Sequence, residues 1–158
     1  MKFEIDQSGK IEQTNKDTVL CISNKIWDAV LIKARTKRQL QEIFRRNGQK
    51  RNYVLFTFCA AVSLLLKRVK EARFVRIDRE YFGKEGVMKK IIKEMLGNER
   101  EITFVSVGRQ SHAHFLAKEV FTKRKKAGKI LKLEELLREI KMTEVGKHVE
   151  RAKRLKNA

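Results

Sequence analysis

Residues 2–10 read KFEIDQSGK, and the reading of this stretch decides the fold. Phe3 and Ile5 alternate with Glu4 and Asp6, the period of two that a half-buried strand requires, and Ser8-Gly9-Lys10 then supplies turn chemistry. The chain therefore opens with a strand that ends on an acid. Two further β-rich runs follow, TVLCIS at 18–23 and IWDAVLI at 26–32, separated only by Asn24-Lys25, a connection of hairpin length. An antiparallel three-strand meander is expected.

Working outward, residues 33–51 carry eight basic residues and one acid, Glu42, with Leu40, Ile43 and Phe44 as a thin apolar stripe and Asn47-Gly48 as a C-terminal signal. A short basic helix is predicted there. The run YVLFTFCAAVSLLL at 53–66 is 14 residues long, short of the roughly 18 needed to cross a bilayer, so a buried helix over 53–71 is expected. ARFVRID at 72–78 is read as a strand. In KEGVMKKIIKEML, Val87, Met88, Ile91, Ile92, Met95 and Leu96 fall at helical spacing, and Gly97 ends the helix. EITFVSV at 101–107 is another strand, and Ser111 is placed to cap a helix that begins HAHFLAKEVF. Strands alternate with helices in this part of the chain, so a mixed sheet covered by helices, an α/β fold, is expected. From Thr122 the chain holds thirteen basic residues and five acids. It is read as a basic helical extension, 122–158, appended to a domain at 1–121.

Charge is the strongest global signal. The 158 residues include 38 Lys and Arg against 19 Asp and Glu, a formal net charge of +19. Such a field attracts polyanions, above all nucleic acid, whose phosphates supply affinity through counterion release. The cations read as phosphate contacts are Lys37, Arg38, Arg45, Arg46, Lys50 and Arg51 in the basic helix, and Lys123, Arg124, Lys125 and Lys126 in the extension. A solvated charged face is the competing reading, since a charge run carries no sequence information. The extension lacks aromatic anchors, which argues against membrane attachment. Cys21 and Cys59 form no CxxC pair, so both are expected reduced and buried. A soluble, cytoplasmic protein follows. Aromatic residues fall at expected core positions, leaving none for base stacking.

The chain contains no proline and no GxxxxGK, and no serine or cysteine nucleophile has a histidine beside it in a known signature. What remains are acids at strand ends. Asp6 and Asp78 each close a strand, and if those strands are adjacent and parallel the carboxylates lie about one strand spacing apart, roughly 5 Å. Such a pair can bind Mg²⁺ or Mn²⁺ for phosphodiester attack. The competing reading is that each Asp only terminates its strand. His112 and His114 stand two apart and so point about 200° apart on a helix, which prevents both from facing one ion. Periodicity does not choose between them.

Taken together, FEIDQSGK, the meander at 18–32, the helix at 53–71, VRIDREY and the late helix resemble the ribonuclease H-like superfamily of nucleases and polynucleotidyl transferases. The resemblance spans about residues 1–121 and implies a five-stranded sheet in the order 3-2-1-4-5. It also implies a divalent-metal-dependent nuclease with Asp6, Asp78 and His114 as catalytic residues. Asp6, Asp78, His114 and Glu80 are the implied metal ligands. The family's late-helix ligand commonly reads Asp-x-Leu-Ala; here His114-Phe115-Leu116-Ala117 stands in its place, similar to the Asp-Asp-His sets of Argonaute slicers and of the nucleotide-excision-repair endonuclease. An imidazole ligand predicts higher activity with Mn²⁺ than with Mg²⁺. The helix at 53–71 lacks the glutamate of ribonucleases H proper, with Glu80 and Glu85 as substitutes. The alternative is a catalytically inactive nucleic-acid- or ribosome-binding protein on the same scaffold.

Overall fold

The computed structural model describes residues 2–97, 100–141 and 143. Its strands are β1 (Lys2–Ser8), β2 (Thr18–Ser23), β3 (Trp27–Ile32), β4 (Phe74–Asp78), β5 (Glu101–Val105) and β6 (Lys129–Ile130). Its helices are α1 (Ala34–Arg46), α2 (Tyr53–Arg68), α3 (Glu85–Leu96), α4 (His112–Phe121) and α5 (Leu133–Lys141). The α/β class holds: one mixed six-stranded sheet, in the order β5-β4-β1-β2-β3-β6, is flanked by five helices. β1, β2 and β3 form the antiparallel meander, while β4 runs parallel to β1 and β5 parallel to β4.

Alternation along β1 divides the molecule into two layers. Phe3 and Ile5 point to the larger core with Leu20, Ile22, Val75 and Ile77, whereas Glu4 and Asp6 point to the other face. β2 is buried along its whole length because both faces are covered, and its run is accordingly apolar from Val19 to Ile22. α2 lies on the larger core, apolar on nearly every side, between the sheet, α3 and α5. Each fully buried Leu, Ile or Phe there contributes about 1.5–3 kcal/mol of transfer free energy. The smaller core is made by α4, whose Leu116, Ala117 and Val120 pack on Val19, Cys21 and Ala29. Cys21 and Cys59 are both free and buried.

The turn after β1 needs a glycine. Gly9 has φ +80°, and a Cβ there would run into the Asp17 carbonyl oxygen and the Phe121 ring at the end of α4. Arg100 closes α2: its guanidinium donates to the carbonyls of Leu66 and Val69 at 3.1 and 3.0 Å, and to that of Ala72.

The basic helix ends at Arg46, at the Asn47-Gly48 signal; Gly48 takes φ +70° and the chain re-enters as a 3-10 turn at Lys50–Asn52. The sequence-based segmentation is corrected in one place. The segment from Thr122 is not simply an appended arm. β6 pairs with β3 at the sheet edge, and α5 buries Leu136 and Ile140 against α2. A two-residue strand is too short to leave a period in the sequence. The extension beyond Lys141, Thr143 apart, lies outside the described residues. Among the described residues no helix is long and apolar enough to cross a membrane.

Candidate metal centre

The acids meet because of the β1–β4 register. Ile5 lies beside Ile77, so the next residue on each parallel strand is an aspartate, Asp6 on one and Asp78 on the other. Both face away from the larger core, and the loop leaving β4 brings in Glu80 two residues later. One carboxylate oxygen from each of Asp6, Asp78 and Glu80 lies within 4.8 Å of the others. Each aspartate is fixed by its surroundings: Asp6 Oδ1 accepts the Gln7 N–H at 2.7 Å, and Asp78 Oδ1 accepts the Val107 N–H at 2.9 Å.

Electrostatics in this cluster run against three negative charges. Burial raises the Asp6 carboxyl above its ordinary value, helped by the charge of Asp78 and opposed by the bonds from Gln7 and His114. Glu80 is pushed up to about 7, first by burial and then by the charges of Asp78 and Asp6. Three hard oxygen donors in mutual repulsion fit Mg²⁺ or Mn²⁺, because a dication neutralises the charge that burial penalises.

The histidines take different places. His114 Nδ1 lies 2.6 Å from Asp6 Oδ2, and the ring is outside the Asp6–Asp78–Glu80 group. In this geometry Nδ1 contacts a carboxylate oxygen and is not one of the three grouped ligand atoms. His112, on the opposite edge of α4, bonds Ser23 Oγ through Nδ1 at 2.8 Å. Both are set by the α4 N-terminus, where Ser111 Oγ accepts the Ala113 N–H and donates to Glu4 Oε1 at 3.4 Å. Glu85 stands apart, 3.5 Å from Arg79, and Glu42 is held down to about 2 by Arg45 and Arg46 on the exposed side of α1.

One of the cations read as a phosphate contact is corrected. Lys37 has 0% exposure, and its Nζ donates to Lys10 O at 3.1 Å, Gln13 O at 2.7 Å and Thr18 Oγ1 at 3.0 Å. Burial brings its ammonium down to about 8. The helical period places residue 37 on the same stripe as Leu40 and Phe44, which was the available sign that it faces inward. Lys37→Met is expected to cost about 2–4 kcal/mol in a urea titration, since three acceptors lose their donor, while leaving nucleic-acid affinity unchanged. The other nine cations are exposed. Arg38 donates to Thr14 O, Arg124 lies 4.0 Å from Glu119, and Lys125 sits 5.7 Å above the Trp27 ring.

Sequence reasoning missed the exposed aromatics. Phe82 is 73% exposed in the loop after Glu80, with the Arg79 guanidinium 6.0 Å from its ring; Phe74 and Phe115 are about half exposed. For Phe74 the sign was present, since it alternates with Val75 and Ile77 on the face of Arg76. The chain matches no family model, no curated protein and no solved structure.

Proposed function

We propose that the protein is a divalent-metal-dependent nuclease of ribonuclease H-like fold that hydrolyses phosphodiester bonds in nucleic acid. The observation that carries this reading is the convergence of Asp6, Asp78 and Glu80 within 4.8 Å, at the ends of adjacent parallel strands, in a chain of net charge +19. Support for the fold comes from the strand order, in which β3, β2, β1, β4 and β5 are consecutive neighbours. Asp6, Asp78 and Glu80 would hold a Mg²⁺ or Mn²⁺ ion, which when bound would supply Lewis acidity. His114 acts as a positioning residue through the 2.6 Å contact of its Nδ1 with Asp6 Oδ2. The exposed cations at 38–51 and 123–126 add phosphate contacts and make binding salt-sensitive.

A second reading, a nucleic-acid- or ribosome-binding protein without cleavage, is favoured by the bond that already occupies Asp6 Oδ2 and by the absence of any acid in α2. Labelled single-stranded, duplex, hybrid and branched substrates incubated with Mg²⁺, Mn²⁺ or EDTA separate the two. Cleavage with either ion, stopped by EDTA, is the expected result. Tight binding to all four with no cleavage under either ion would leave only the second reading.

A further inference from the structure

The acidic centre repels the phosphates it must approach, so ground-state affinity has to come from elsewhere on the surface. At the N-terminal ends of β4 and β5 two clefts of about 610 and 620 Å³ share Arg73 and Arg100. Six basic side chains line them against a single acid, Glu101. Two of the six are engaged, Arg100 with the α2 carbonyls and Lys67 with Glu139. Lys70, Arg73, Lys89 and Lys93 form no ion pair among the described residues. They come from the α2–β4 connection and from α3, so folding assembles the patch from separate segments.

The first cleft is lined both by Lys89 and Lys93 of α3, which packs on the larger core, and by Phe74 and Thr103, which face the other way, toward the side of the sheet that carries the carboxylates. α4 packs chiefly on β1 and β2, and among the described residues that face of β4 and β5 is open: Phe74 is 48% exposed, Thr103 is exposed, and Arg76 pairs in register with Thr103. Arg76 also lies 3.8 Å from Glu4. From Phe74 to Asp78 the strand rises four steps of about 3.3 Å, or roughly 13 Å. At about 3.4 Å of axial rise per nucleotide that is roughly four nucleotides.

We propose that Lys70, Arg73, Lys89 and Lys93 form a second phosphate-binding site, which holds the sugar-phosphate backbone of the same nucleic-acid substrate about four nucleotides from the carboxylate centre, with Arg76 on the track between. The proposal rests on the nuclease reading for what lies at the far end of the track. The clefts supply positive charge where the centre supplies negative charge, so binding and chemistry occupy opposite ends of β4.

The test uses full-length protein in EDTA, with a labelled duplex and a labelled single strand, and reads affinity by anisotropy between low and moderate salt. The variant Lys70→Gln/Arg73→Gln/Lys89→Gln/Lys93→Gln is compared with Lys16→Gln/Lys25→Gln/Lys33→Gln/Lys132→Gln, which removes the same charge from exposed sites elsewhere. The cleft variant is expected to lose more than about tenfold in duplex affinity and to flatten the log–log salt slope by roughly 3 to 4, at about 0.9 per phosphate contact. The control is expected to change the slope by less than about 1. Equal losses in both variants, or no loss in the cleft variant, would overturn the site. Melting curves of both variants confirm folding. Cleavage by wild type is scored separately: a cleft-dependent affinity without cleavage sinks the nuclease reading alone, and cleavage with a dispensable cleft sinks this inference alone.

Discussion

Asp78→Asn is expected to lower phosphodiester cleavage by at least about 10³-fold while leaving nucleic-acid affinity near wild type and the melting temperature no lower than wild type. If the three carboxylates hold the ion as proposed, losing one removes several kcal/mol of transition-state stabilisation, and each 1.36 kcal/mol is about tenfold in rate. The substitution is structurally mild. Asparagine retains the oxygen that accepts the Val107 N–H at 2.9 Å, so the strand end keeps its anchor. His114→Ala is expected to cost less, about 10–100-fold, because the imidazole acts through Asp6 rather than on the ion. Single-turnover cleavage assays with both variants check the order. Wild-type rates from Asp78→Asn would show that the carboxylate cluster is not where the bond is broken.

The second large effect is on stability, and its sign follows from Glu80. In the metal-free protein its carboxyl sits near 7 instead of the ordinary value of 4.5. Between those two values the folded chain keeps a proton that the unfolded chain has released. Stability therefore falls as pH rises through this window, and the full penalty is present above it. Asp6, raised for the same reason of burial, contributes with the same sign. Glu80→Gln is accordingly expected to melt higher than wild type at pH 8 and alike at pH 4, with no metal present. Adding Mg²⁺ or Mn²⁺ to the wild type at pH 8 is expected to raise Tm by roughly 5–10 °C at a hundredfold excess over Kd. That rise should shrink as pH falls below 7, because the ion must displace protons from the same oxygens. In Glu80→Gln most of it should vanish. A metal-induced shift of equal size at pH 5 and pH 8 would contradict the ligand set.

Much of the layout can be read from short patterns. Phe3 and Ile5 alternating with Glu4 and Asp6 declare which face of β1 is buried, and the even apolar character of 19–22 and 53–66 declares two elements covered on both sides. That two strands end on aspartates is visible at once. That they are neighbours is not, because adjacency depends on the crossover through α2, and only the resemblance of order supplied it. The direction of His114 was equally hidden. Helical spacing places residues 112 and 114 on opposite edges of α4, but whether the ring meets an ion or a carboxylate depends on how close α4 approaches β1. Two alanines on its inner face, Ala113 and Ala117, set that distance. The basic clefts left no local sign, since Lys70, Arg73, Lys89 and Lys93 are unremarkable within their own segments and become a patch only when β4 and α3 are packed together.

The contacts at the two ends of α4 act as a ruler. Ser111 is tied to Glu4 near the start of β1, and the Phe121 ring closes over Gly9 just past its end. A ten-residue helix is about 15 Å long, and five strand steps cover about 17 Å, so helix and strand match in length between their two fastenings. Sliding by even one turn would break both fastenings together. The height of the imidazole over the first aspartate is thus set by the spacing of two remote joints, and a side chain larger than hydrogen at residue 9 would displace that ring without touching it.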